Sequence, residues 1–365
     1  MNFLSAFRDK EMAAGLQRAI GQAIQKLGQP QTLMEVCGTH TWSIARHGIR
    51  SILPSGLRLL SGPGCPVCVT PQGYMDGAMI LSQQEGVIVA TFGDMMRVPG
   101  SHSSLEAERA RGRQIRPVYS PLEALKIAKD NPQARVVFLG VGFETTAPTI
   151  AASLLEARER GLENYLVYSA HKRIPPALRL LAESPDLQLD GLICPPHVSA
   201  ILGAQAYRFL AEEYGIPCAI TGFEPLDILQ GILMLLHQRI EGRPRVEIQY
   251  RRAVQEEGNP EALAIMEEVY QVGPGCWRGL GLIPDSGLFL RENYRPWDAT
   301  HRFGLPSPET GEGDPAGCLC GEILKGAKTP PDCPAFARWC TPEDPQGPCM
   351  VSGEGTCAAY YRYDR

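Results

Sequence analysis

The chain has 365 residues, 44% of them hydrophobic, with 35 Lys and Arg against 40 Asp and Glu for a net charge of -5. That is length enough for about two or three domains with well-buried cores, and the balanced charge, with no long run of like sign, argues against nucleic acid or an anionic membrane as partner. The most apolar stretch, Ile228 to Leu236, is too short for a bilayer, which needs about 20 residues.

The first residues carry Asp9 and Glu11 ahead of any long apolar run, so they read as an amphipathic helix and not a signal peptide, and a cytoplasmic location is expected. Short apolar runs then alternate with helical patterns as far as residue 240, the signature of βαβ units and a parallel sheet. A short strand leads into Glu35-Val36-Cys37-Gly38-Thr39-His40, and Gly62-Pro63-Gly64-Cys65-Pro66-Val67-Cys68 sets a CxxC in a turn-forming sequence that suggests an exposed, rigid loop. The clearest strands are Val87 to Phe92, Arg135 to Leu139, Tyr165 to Tyr168, Gly191 to Cys194 and Pro217 to Thr221. Helices are expected after Ser120-Pro121, with Glu123 completing a capping box, from Thr146 to Arg160 with Gly161 as stop, and after Asn259-Pro260. Beyond about residue 272 Gly and Pro become dense (VGPGCWRGLGLIPDSG) and an irregular, metal-organised domain fits best. The expected organisation is α/β, with two Rossmann-like parallel-sheet domains, 1–130 and 131–245, flanking a cleft, and a loop-rich domain over 246–365.

Twelve cysteines without an export signal point to a reducing compartment, where thiols serve metals or redox chemistry. Six of them, Cys318, Cys320, Cys333, Cys340, Cys349 and Cys357, crowd the end of the chain. Only the first two are as close as zinc ligands usually come, whereas a cubane cluster tolerates long, irregular loops between four thiolates. Four of the six therefore suit an iron-sulfur cluster and the other two a thiol pair beside it; spacing alone leaves open which four, with structural zinc as the alternative. Cys65 and Cys68 can form a reversible disulfide or offer two sulfurs to a metal. Cys37, three residues before His40, reads as a nucleophile with its base, as a thiolate metal ligand, or as a core cysteine. Polar groups recur just past the strands: Asp94, Glu144 with Thr145 and Thr146, His171, His197 and Glu224. That rim is where open parallel sheets form ligand clefts. Gly142-Phe143-Glu144 and Gly222-Phe223-Glu224 echo one another, each after a strand and before a helix.

Taken together, CGTH at Cys37 to His40, GPGCPVC, FGDMMRVPGS, GFETTAP, PPHVSAILG, PGCWRGLG and the terminal cysteines resemble the HypD family of hydrogenase maturation factors. The resemblance implies a scaffold on which the Fe(CN)2CO centre of [NiFe]-hydrogenase is assembled. Cys37 would hold the iron with a cysteine of a HypC-type small chaperone, and a HypE-type partner would deliver cyanide. It also implies that Cys318, Cys333, Cys340 and Cys357 ligate a [4Fe-4S] cluster, that Cys320 and Cys349 are an accessory redox pair, and that Cys65 and Cys68 are a redox pair or additional iron ligands. Thr39 and His40 are expected to tune or orient the Cys37 thiolate, and Asp94, Glu144 and His197 to manage protons or hydrogen-bond the cyanides. The resemblance suggests a chain that is monomeric alone. Two rival functions are a cluster-dependent protein disulfide reductase and a zinc-stabilised interaction protein; Cys194, Cys218 and Cys276 receive no role.

Overall fold

A computed structural model describes residues 7–185, 187–306 and 317–364. Its strands are β1 (Gln31–Glu35), β2 (Leu57–Ser61), β3 (Val87–Thr91), β4 (Ile115–Pro117), β5 (Arg135–Gly140), β6 (Tyr165–Ser169), β7 (His171–Lys172), β8 (Gly191–Cys194), β9 (Cys218–Ile220), β10 (Val246–Ile248), β11 (Tyr270–Trp277) and β12 (Gly281–Leu290). One wholly parallel sheet has the order β10-β9-β8-β1-β2, a second the order β4-β3-β5-β6, and β11-β12-β7 form an antiparallel unit. The central strands are continuous apolar runs because helices cover both faces: every residue of β3 and of β8 is buried.

Helix starts follow the expected chemistry. Ser120 accepts from the Leu122 amide at 3.1 Å and Asn259 from the Ala262 amide at 3.0 Å, opening helices Pro121–Asp130 and Pro260–Val269. Glu123 departs from the expected box by accepting from the Tyr119 amide at 3.3 Å instead of reaching Ser120. The N-terminal helix spans Lys10–Leu27, capped by Asp9, and packs on helix Pro225–Glu241; residues 1–6 lie outside the described residues.

Two expectations are corrected. The sheets do not respect boundaries at 130 and 245: β1 and β2 join β8, β9 and β10, while β3 and β4 join β5 and β6. A strand-helix alternation looks the same whichever sheet a strand enters, so the interleaving leaves no local mark. The Gly-rich stretch after residue 272 is not irregular. It is the long hairpin of β11 and β12, turned at Gly279 and Gly281, both with positive φ, and β12 pairs with β7.

The cysteine-rich segment contributes helices Cys320–Leu324, Pro348–Val351 and Thr356–Tyr363. Its last helix packs on helix Gly38–Arg46, and Pro348–Val351 packs on the short helix Pro66–Val69. One contiguous core accordingly holds Cys65, Cys68, Cys194, Cys320 and Cys349 together. Among the described residues, no helix is long and apolar enough to cross a membrane.

Candidate functional site

β1 ends at Glu35, and Cys37, in extended conformation, caps helix Gly38–Arg46. Its side chain makes no capping hydrogen bond. Burial, above all, pushes the thiol up to about 12, the nearby amides of His40 and Thr39 pull the other way, and the Glu354 and Glu35 carboxylates act in the same direction as burial. The thiol is thus protonated at rest, yet sits where a helix N-terminus favours its anion once a metal displaces the proton. Glu35 braces the turn: its carboxylate accepts from the Cys37 amide at 3.0 Å and from Thr41 Oγ1 at 2.6 Å. Burial raises its pKa.

The CxxC lies directly against this turn. Gly38 donates to the Gly64 carbonyl at 2.9 Å, and Gly64 approaches the Cys37 backbone so closely that no Cβ fits between them. Cys65 and Cys68 are joined in a disulfide. The expectation of an exposed loop fails, since the two are 3% and 0% exposed. Gly62, set against Met34 and Val36, and Gly64 serve close approach to β1 and not exposure.

The cysteine-rich segment closes the site from the other side. Thr39 Oγ1 donates to Glu354 Oε1 at 2.6 Å, and the Glu354 amide donates to Ser352 Oγ at 3.3 Å. Ser352 in turn donates to Asp94 at 3.1 Å, and Arg97 donates to the Pro342 carbonyl at 2.9 Å and that of Val351 at 3.5 Å. Asp94 therefore helps to clamp the terminal turn. Cys68 Sγ lies 3.9 Å from the Pro348 carbonyl, next in sequence to Cys349. The Sγ atoms of Cys349 and Cys320 are 2.6 Å apart, and all six terminal cysteines line one small cavity with Ile323, Phe336 and Met350.

The remaining expected residues divide. His40 turns its ring away from a base role: Nε2 lies 3.0 Å from the Gly222 carbonyl and 3.0 Å from Thr221 Oγ1, and burial lowers its pKa to about 4. Phe223 is flanked by His40 and by the exposed His197, with ring centroids at 5.0 and 4.4 Å. Glu144 is fully buried and accepts from the Ile174 amide at 3.1 Å. The buried phenol of Tyr207 is within electrostatic reach of Cys194, Glu144 and Cys37. His171 bonds Ser169 at 2.9 Å, and Glu224 pairs with Arg8; both are structural. Cys194 and Cys218 lie buried on the paired strands β8 and β9, Cys218 Sγ donating to the Ile216 carbonyl at 3.5 Å, and Cys276 lies on β11. Glu354 and Tyr207 escaped the sequence reading. Glu354 carries only a turn signal in VSGEGTC, and nothing local distinguishes Tyr207.

Burial raises Glu144 from 4.5 to about 7, so folding favours its protonated form. Its contribution to stability is fully present below about pH 4.5 and is lost as pH rises through 7, on the order of 3 kcal/mol in all. The melting temperature of the chain relative to its Glu144→Gln variant is expected to fall between pH 5 and pH 8. A constant difference across that range contradicts the burial argument.

The family model described as HypD, hydrogenase formation hypA family, matches residues 11–364. The chain belongs to the HypD family. Among its relatives are hydrogenase maturation factor HypD2 of Bradyrhizobium diazoefficiens, 46% identical, hydrogenase maturation factor HypD of Rhodobacter capsulatus, 44% identical, and that of Escherichia coli K12, 42% identical. Each alignment covers 100% of this chain and 97%, 98% and 98% of the respective relative. Membership extends over both sheets and the cysteine-rich segment alike. Among the described residues, no three His, Cys, Asp or Glu side chains converge as ligands of a single metal ion.

Proposed function

We propose that this chain is a hydrogenase maturation factor on which the Fe(CN)2CO unit of a [NiFe]-hydrogenase is built. The names of its relatives support the maturation role. The observation that carries the site reading is the buried Cys37 at a helix N-terminus, with the Cys65–Cys68 pair following Gly64, which presses on its backbone, and the Cys320–Cys349 pair beyond. Iron is the cargo: Cys37 holds it together with a cysteine of a HypC-type small chaperone, and a HypE-type partner delivers cyanide. Thiolates suit this cargo because soft, strongly donating sulfur matches an iron that carries cyanide and carbon monoxide. The amides of Thr39 and His40 steady the thiolate in place of the departed proton.

The terminal cavity supports a [4Fe-4S] reading. A cubane takes its four thiolates at separate corners, and six cysteines lining one cavity offer more than that number. Cys318, Cys333, Cys340 and Cys357 would hold it, making the segment from about 317 onward an iron-sulfur unit, and a bound cluster supplies electrons one at a time. Cys320 and Cys349 then form the accessory pair. In its dithiol form this pair reduces the Cys65–Cys68 disulfide by exchange: one thiolate attacks, a mixed disulfide forms, and the second thiol displaces it. Two electrons and two protons pass to Cys65 and Cys68, and an external low-potential electron-carrier protein restores the accessory pair. The burial of Cys65 and Cys68 argues against the rival reductase reading, since a partner's disulfide has no approach to them.

Infrared spectroscopy of the anaerobic complex with the small chaperone, formed with all maturation partners present, tests the proposal. Cyanide and carbon monoxide stretches are expected in the wild-type complex and absent after Cys37→Ala. Their absence from the wild type, or persistence in the variant, overturns the scaffold role.

A further inference from the structure

His40 offers more than a neighbour to Cys37. Nε2 lies 3.0 Å from both the Gly222 carbonyl and Thr221 Oγ1; a carbonyl only accepts whereas a hydroxyl can accept as well as donate, so a proton on Nε2 is the arrangement that satisfies both. The other ring nitrogen, Nδ1, is then an unprotonated lone pair, and it is buried without a hydrogen-bond partner among the described residues.

The carbonyl that sets this tautomer is itself held by a built network. The Gly222 amide donates to Gln249 Oε1 at 3.0 Å, and Gln249 Nε2 donates to Asp227 Oδ1 at 2.8 Å and Gln230 Oε1 at 2.9 Å. Every polar position of the Gln249 side chain is thereby used, which fixes its orientation. Asp227, 2% exposed, is gripped by Arg252 through both carboxylate oxygens, and the guanidinium lies between the rings of Phe7 and Tyr250 at 4.6 and 4.4 Å. Gly222 must lack a side chain because this ion pair occupies the place of its Cβ.

We propose that Nδ1 of His40 is a metal-binding nitrogen that joins Cys37 in holding the iron cargo, and that Gln249, Asp227 and Arg252 are its positioning residues. An imidazole whose far N–H is tied to a backbone carbonyl is the arrangement that orients metal-bound histidines and raises their basicity. Cys37 caps helix Gly38–Arg46 and His40 is its third residue, so the two stand within one turn of the same helix start. A neutral imidazole beside a thiolate is a donor pair suited to iron. The inference rests on the reading that Cys37 holds that iron.

The test uses the cluster-loaded full-length chain labelled with 15N-histidine, with Co2+ as probe under anaerobic conditions. Before cobalt, long-range proton-nitrogen spectra are expected to show His40 as the Nε2–H tautomer; the Nδ1–H form overturns the inference. With one equivalent of Co2+, a sulfur-to-cobalt absorption that disappears in Cys37→Ser should arise together with displacement of the His40 ring signals. Gln249→Leu is expected to weaken cobalt binding about tenfold or more. A Cys37-dependent band with unmoved His40 signals overturns the inference and leaves the Cys37 reading intact, whereas the absence of any such band overturns both. The wild-type spectra decide the matter even where the variant fails to fold.

Discussion

Gly64→Ala is expected to destabilise the chain by about 3 kcal/mol or more and to release Cys37 to solvent. The added methyl would coincide with the amide nitrogen and Cα of Cys37 and the carbonyl carbon of Val36. All three are backbone atoms at the end of a central strand, so no rotamer change relieves the overlap. The loop must lift, and with it goes the Gly64 carbonyl that binds the Gly38 amide. Denaturant unfolding and the alkylation rate of Cys37 read the two effects together. Gly21→Ala, in open space on the N-terminal helix, serves as the contrast and is expected to stabilise by up to about 1 kcal/mol. Wild-type stability in Gly64→Ala would contradict the close approach.

On the proposed cluster reading, Cys357→Ser is expected to lower the iron content and visible absorption of the terminal segment, because a hydroxyl is a harder and poorer ligand for a thiolate-bound iron cluster than the sulfur it replaces. The effect should spread beyond the cavity. Cys357 opens the helix that packs on helix Gly38–Arg46, and Glu354, which receives the Thr39 hydroxyl, lies in the turn just before it. Faster alkylation of Cys37 is therefore expected alongside the metal loss, measured by mass spectrometry of the modified peptide. Retained iron with unchanged Cys37 reactivity would remove Cys357 from the ligand set and separate the two regions.

Much of this was legible along the chain. Continuous apolar runs mark β3, β5, β6, β8 and β9, and cap chemistry at Ser120 and Asn259 marks two helices, because both signals depend on neighbours in sequence. Cys37 and the terminal cysteines were visible as chemistry-bearing residues for the same reason. What escaped depends on distant segments. The interleaved sheets, the burial of Cys65 and Cys68, and the grip of Glu354 on Thr39 and of Gln249 on Gly222 are set by residues far from the motifs they serve. The glycines of GPGC gave a turn signal that was correct locally, yet the protein uses them to press two segments together. Asp94 stood at a strand end as expected, but its partner, Ser352, belongs to the other end of the chain.

That interleaving has a consequence for biosynthesis. β1 and β2 emerge early, yet β1 lacks its other neighbour until β8 has been made, so the strand that carries Cys37 waits with one edge bare while the β3 to β6 sheet can assemble. The Glu354 contact that closes over Thr39 lies 315 residues further along the chain. A nascent chain that has not yet reached Glu354 therefore carries Cys37 on a helix start that is still open on that side, and the order of synthesis leaves this closure until long after the motif itself is made.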